Sequence, residues 1–289
     1  MNFVDIHTHI LPGVDDGAQS LEDTLVMLRI AYDSATRRMV ATLHMFLDLF
    51  NNNDFLEIRD RFEALIRDLN SYQEKQPHIK EMDLYLGAEN YASPEFLEAL
   101  GQGCVLTLNG SRDLLVEVSP ALPMSQIGVI MENVLAADYT PVIAHVERYA
   151  AVQQDPSQME RLRNLGCVLQ VNARSLAGAS GSKNKTCAER LLQEGLLDVI
   201  ATDGHQPRWR PPDFQSVFQT LEQDHSKEDV RRWMLTNPQL ILSNELLKSA
   251  NESECRDWLA RIMHELSTTG PHYIRADCVV LPWAPRRTA

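Results

Sequence analysis

The stretch VDIHTHILPGVDDG, residues 4–17, places two histidines two positions apart and follows them with two adjacent acids. Side chains on a strand alternate with a period of two, so His7 and His9 share one face. Two ligands of one ion need that geometry, but two hydrogen-bonded core histidines would share it. What surrounds the stretch decides between them.

Outward from it, short β-rich runs alternate with longer helical ones. FVDIHTH (3–9) reads as a strand. Residues 20–38 read as a helix, with Leu21, Leu25, Leu28 and Tyr32 at helical spacing and Ser20 as N-cap. MVATLH (39–44) is the next strand, and 54–75 the next helix, with Phe55, Ile58, Phe62, Leu65, Ile66 and Leu69 on one face. Strands are expected at 83–90, 113–119, 141–147, 167–172 and 196–205, with a helix over 125–137. Such alternation predicts an α/β fold with a mostly parallel sheet of about six to eight units, closed or nearly closed into a barrel.

Functional groups of such barrels sit at the C-terminal ends of the strands. The polar residues expected there are His7, His9, His44, Glu89, Glu117, His145, Asp203 and His205, with Asp16 in the loop after the first strand. Burying four carboxylates at one barrel end without cations would cost each ion its hydration. Divalent metals remove that cost. Imidazole with carboxylate suits zinc, manganese or iron, and no cysteine stands at these positions. The pattern therefore favours a multinuclear metal site over isolated core histidines.

Composition sets the outer limits. The chain has 289 residues, of which 44% are hydrophobic, enough for a sizeable core. Its net charge of −13 argues against nucleic acid or an anionic membrane surface as partner. Five scattered cysteines without a CxxC pair fit reduced thiols and a cytoplasmic location. No secretory signal and no membrane-spanning run is visible.

DIHTHILPGVDDGA, ATLH, LGAEN, LVEVSP, PVIAHVERY, QVNARSLAG and ATDGHQ follow one another in order over roughly residues 1–245. Together they resemble the polymerase-and-histidinol-phosphatase (PHP) domain. More narrowly, they resemble the bacterial metal-dependent tyrosine-protein phosphatases of the CpsB/YwqE type, encoded with capsule and exopolysaccharide genes. The resemblance implies a distorted (β/α)7 barrel over residues 1–250, leaving 251–289 as a C-terminal extension, partly helical and then a tail. It implies three divalent ions, usually manganese. His7, His9, Glu89 and Asp203 would hold the first, Glu89, Glu117 and His145 the second, and Asp16, His44 and His205 the third. For the third ion the family pattern favours Asp16 over its neighbour Asp15.

The implied activity is hydrolysis of phosphotyrosine on a partner protein, a tyrosine kinase of polysaccharide export. Water ionised by the metals would attack phosphorus, and Arg148 and Arg210, three residues after His145 and five after His205, would hold the phosphate. Three divalent ions and four carboxylates leave such a site at about +2, so it attracts phosphate although the whole chain is acidic.

Other readings remain open at this point: a PHP-type phosphatase for a small molecule such as histidinol phosphate, or a weakly catalytic regulator that docks on a kinase. An amidohydrolase also begins with HxH, but it would need a bridging lysine where Glu89 stands. CRDWLAR (255–261) fits the C-x5-R pattern of cysteine phosphatases only formally, because a helix-like run without glycine cannot wrap a phosphate. GASGSK (178–183) reads as a turn at the rim of the site. MFLDLFNNN (45–53) departs from the family pattern, and its Phe46, Leu47, Leu49 and Phe50 are either core or an apolar contact for an aromatic phosphoester or another subunit.

Overall fold

A computed structural model describes residues 1–50, 52 and 54–244. The seven strands are β1 (Phe3–Thr8), β2 (Thr36–Met45), β3 (Asp83–Tyr91), β4 (Asp113–Glu117), β5 (Thr140–Ile143), β6 (Val168–Asn172) and β7 (Val199–Ala201). They lie side by side in sequence order, every neighbouring pair parallel. A bridge between Thr8 and Gly204, with His9 N–H donating to Gly204 O at 2.7 Å, brings the last strand back to the first. The result is a nearly closed seven-stranded α/β barrel.

The intervening chain is helical: α1 (Leu21–Asp33), α2 (Phe55–Tyr72), α3 (Pro94–Gly101), α4 (Met124–Ala136), α5 (Ala150–Gln154), α6 (Met159–Asn164), α7 (Ala173–Leu176) and α8 (Ser182–Gln193). After β7 come α9 (Gln215–Asp224), α10 (Lys227–Arg231) and α11 (Asn237–Leu242). Ser20, Asp54 and Ser93 cap α1, α2 and α3 by accepting from their first-turn N–H groups. None of the helices among the described residues is long and apolar enough to cross a membrane. The expected boundary at residue 250, the C-terminal extension and CRDWLAR fall outside the described residues.

Two apolar layers hold the barrel. One packs the outer strand faces against the helices, with Leu28, Leu65, Phe96, Met131, Leu191 and Phe214 among its members. The smaller one fills the interior with Val4, Ile6, Val40, Leu115, Val142, Val168 and Val199, and Ile241 of α11 joins it from the N-terminal end. The barrel is distorted because β3 and β4 pair only at Asn90–Val116 and Tyr91–Glu117. Leu108 fills the gap below. A Cβ on Gly87 would meet Val40 Cγ1 at 2.8 Å and Leu108 Cδ2 at 3.0 Å, so only glycine admits that packing. Asn90 Nδ2 donates to the carbonyls of Ala88, Leu106 and Leu115 across the same opening.

Several boundaries differ from the sequence-based expectation. Helix α1 stops at Asp33 because Ala35 turns left-handed (φ 68°), and β2 begins at Thr36 rather than at 39. Strand β5 ends at Ile143, where 141–147 was expected, and His145 is itself left-handed (φ 33°). Likewise β4 and β7 are shorter than 113–119 and 196–205. In each of the last three the chain leaves the ladder where its functional side chains begin.

Candidate metal centre

The HxH pair does not reach the pocket by simple alternation. Val4 and Ile6 belong to the barrel interior, so an unbroken strand would turn His7 outward. Between Asp5 and Thr8, however, β1 advances three residues while β2 advances two, from Met39 to Ala41. This bulge reverses the facing and aims His7 and His9 into the barrel. Buried Asp5 braces it by accepting from the N–H groups of His7 (3.3 Å) and Thr202 (3.1 Å) and from the Thr202 hydroxyl. Burial pushes the Asp5 carboxyl up to about 6, against those hydrogen bonds.

All nine expected ligand positions lie at the C-terminal end of the barrel. His7 Nε2 stands 3.2 Å from Glu89 Oε2 and 3.5 Å from Asp203 Oδ1, and His9 Nε2 stands 3.4 and 3.7 Å from the same atoms. Those four residues offer ligand atoms within 4.8 Å of one another, as do His9, Asp16, His44 and His205. Asp16 Oδ1 is 3.5 Å from both His44 Nε2 and His205 Nε2. Glu89 Oε1 meets His145 Nε2 at 2.8 Å, and Glu117 Oε1 lies 3.6 Å from the same nitrogen. The structure also turns His44 Nδ1 toward Glu89 Oε2 (3.2 Å) and Glu117, so this ring stands between the second and third groups, one nitrogen to each.

Asp15 and Asp16 separate clearly. Asp15 is buried; its Oδ2 accepts from His9 Nδ1 at 2.8 Å and from His44 N–H at 3.0 Å. Gly17 N–H donates to its Oδ1 at 2.9 Å, and a side chain on Gly17 would strike His9 O at 2.2 Å. Asp15 thus orients His9 from behind, while half-exposed Asp16 faces the pocket. Gln170 plays the same part for His7. Its Oε1 lies 3.1 Å from His7 Nδ1 and accepts from His145 N–H at 2.9 Å, so His7 turns its Nε2 toward Glu89, Asp203 and His9. Gln170 Nε2 continues to Asn172 Oδ1 at 2.8 Å, and Asn172 Nδ2 donates to Asp203 Oδ2 at 2.7 Å. Buried Glu147 accepts from Ser175 Oγ (2.6 Å) and Asn172 N–H (3.3 Å), tying the β5 and β6 loops together.

Both arginines reach the pocket. Arg210 Nη2 donates to Asp203 Oδ2 at 2.6 Å, and Arg148 Nη1 does so at 3.4 Å. The turn GASGSK joins α7 to α8, with Gly178 and Gly181 at positive φ, and none of its residues belongs to the three groups. The apolar loop divides: Phe46 is core against Phe96, Leu49 is exposed, and Phe50 stacks on His44.

The donor set fits divalent ions. It consists of nitrogens and carboxylate oxygens without sulfur. His145 Nδ1 is buried without a hydrogen-bond partner among the described residues, and the buried His44 Nδ1 approaches Glu89 Oε2 at 3.2 Å without hydrogen-bond geometry. Burial pushes both rings down to about 4, toward the neutral form that ligates metal. Burial, together with the nearby Glu89 charge, pushes the Glu117 carboxyl up to about 8. Asp203 is held low in spite of its burial by His7, Arg210 and His205. His9 is likewise desolvated, yet Asp15 and Glu89 raise it to about 10. One end of the barrel thus carries more ionisable groups than it can satisfy internally.

The sequence profile of the family "Capsular polysaccharide synthesis, CpsB/CapC" matches residues 3–243. The chain belongs to the CpsB/CapC family. Among CpsB/CapC relatives, tyrosine-protein phosphatase CpsB of Streptococcus agalactiae serotype V is 28% identical over 249 residues, covering 84% of this chain and 100% of the relative. Tyrosine-protein phosphatase YwqE of Bacillus subtilis (strain 168) is 29% identical over 251 residues, covering 84% and 93%. A crystal structure from work on YwqE of Bacillus subtilis and CpsB of Streptococcus pneumoniae, described as unique metal-dependent tyrosine phosphatases, matches with a TM-score of 0.75 at 27% identity. That match covers 85% of this chain and 96% of the other.

Proposed function

We propose that this CpsB/CapC member is a metal-dependent protein-tyrosine phosphatase whose substrate is a tyrosine kinase of capsule or exopolysaccharide export. The observation that carries the reading is the convergence of five histidines and four carboxylates, drawn from six strand ends and the β1 loop, on one pocket with two arginines at its edge. Its relatives' names supply the substrate class.

His7, His9, Glu89 and Asp203 would hold one divalent ion, Glu89, Glu117 and His145 a second, and Asp16, His44 and His205 a third. Manganese suits this mixture of imidazole and carboxylate. Such ions, when bound, supply ionised water near neutral pH and neutralise phosphate charge. The chain's own residues do the rest. Glu89, centred among His7, His9, His44 and His145, spaces the ligand groups. Asp15 and Gln170 keep the imidazoles of His9 and His7 in register. Arg148 and Arg210 pass from Asp203 to the phosphate oxygens, which accept from planar guanidinium groups in pairs. A tyrosyl oxygen, with a pKa of about 10, leaves with little acid assistance.

Hydrolysis of a phosphotyrosine peptide, measured against histidinol phosphate with and without manganese, tests the proposal. Manganese-dependent release of phosphate from the peptide is expected. Preference for histidinol phosphate would replace the reading with a small-molecule phosphatase, and inactivity on both after metal loading would favour a docking role.

A further inference from the structure

The loop between β2 and α2 carries one aromatic ring that neither the core nor the metal groups account for. Phe50 is half-buried, and its ring runs parallel to that of His44 but displaced from it, with centroids 5.6 Å apart and planes 6° apart. The position is anchored. Phe50 N–H donates to Leu47 O at 3.0 Å, and Asn52 Nδ2 donates to Val14 O at 2.6 Å and His44 O at 3.2 Å. Next to it, Leu49 is 80% exposed. A held ring beside exposed Leu49 gives this edge of the pocket an apolar surface that an aromatic group could meet.

His44 and half-exposed Asp16 are the ligand positions on that side of the pocket. Asp16 is the most exposed of the nine positions, so a phosphate ester leaving the pocket past Asp16 and His44 runs beside Phe50. An aryl ester places a flat ring there, and an alkyl ester does not. We propose that Phe50 is a specificity-determining residue, receiving the phenyl ring of phosphotyrosine beside His44. The inference rests on the phosphatase reading above for its substrate, and on Phe50 and His44 alone for its geometry. Offset or edge contact between two aromatic rings is worth up to about tenfold in affinity.

Calorimetric binding of phenylphosphonate and methylphosphonate to the manganese-loaded protein tests this without relying on turnover. The wild type is expected to bind phenylphosphonate about tenfold more tightly. F50A should lose that preference through weaker phenylphosphonate binding alone, with manganese content and methylphosphonate affinity retained, and F50Y should restore it. W209A, which removes the 78% exposed Trp209 on the loop after β7, should leave the preference intact. Absence of an aryl preference in the wild type, or its survival in F50A, overturns the proposal. So does an equal loss of both ligands or of manganese in F50A, which would make Phe50 only a support for His44. Loss of the preference in W209A would move the ring contact to the other loop and also overturn it. If the preference behaves as expected but phosphotyrosine is not hydrolysed, the ring contact stands and the phosphatase reading fails.

Discussion

The two ends of the barrel treat buried acids in opposite ways. At the N-terminal end, Asp198 precedes β7 and is matched within the protein: Arg163 Nε donates to it at 2.9 Å and Leu169 N–H at 3.0 Å. Asp113, at the start of β4, has the Ser111 hydroxyl. At the C-terminal end a single carboxylate, Glu89, faces His7, His9, His44 and His145, and Asp203 faces three imidazoles, those of His7, His9 and His205, and both arginines. Asp198 at the first end clips α6 to β6. The acids at the second are assembled beyond what the fold needs, and ions of higher charge make sense of the excess.

The largest effect that sharpens this contrast is expected at Glu89. Glu89→Gln keeps the shape and removes the shared charge, so peptide hydrolysis should fall by about a thousandfold or more, with manganese lost and the circular dichroism spectrum kept. Activity near that of the wild type would dissolve the distinction between the two ends. Asp15→Asn acts one step back, through His9. A tenfold to hundredfold drop in metal affinity is expected, of the order seen when the partner of a ligating histidine is removed, read by manganese titration.

At the other end the effects should fall on stability alone. Arg163→Ala leaves Asp198 with its backbone donor only; a loss of about 1–2 kcal/mol in urea unfolding is expected, because the arginine is partly exposed, with turnover unchanged. Asp113→Asn should show as a change of pH slope rather than as a fixed loss. Burial pushes the Asp113 carboxyl from 3.8 up to about 7. The folded protein then holds a proton that the unfolded chain has released, so stability falls as pH rises from about 4 to about 7. The variant has no charge to bury, and its urea midpoint between pH 5 and pH 8, in metal-free protein, should vary less than that of the wild type.

The same contrast explains what could be read from the sequence. The positions that meet in the pocket were legible because the period of a strand and the rule for barrel ends make each a local statement: His44 closes ATLH, and Glu89 follows LGA. The supporting residues were not. Gln170 meets His7 across 163 positions, and Asp5 meets Thr202 across 197, so neither leaves a local pattern. Nor does the bulge at Asp5–Thr8: HxH reads as plain alternation, and only the register against β2 shows that the strand must shift to aim it inward. The ends of β5 and β7 were misplaced for a related reason. Apolar runs continue to His145 and Ala201, but His145 and Asp203 take left-handed conformations (φ 33° and 52°) to point into the pocket.

Anomalous diffraction at the manganese edge, from crystals grown with excess manganese, bears most directly on this account. It predicts scattering peaks about 2.0–2.4 Å from the ring nitrogens and carboxylate oxygens of the nine residues, with Glu89 next to two of them. Peaks confined to the protein surface, with Glu89 and Asp203 still paired to histidine and arginine, would contradict it.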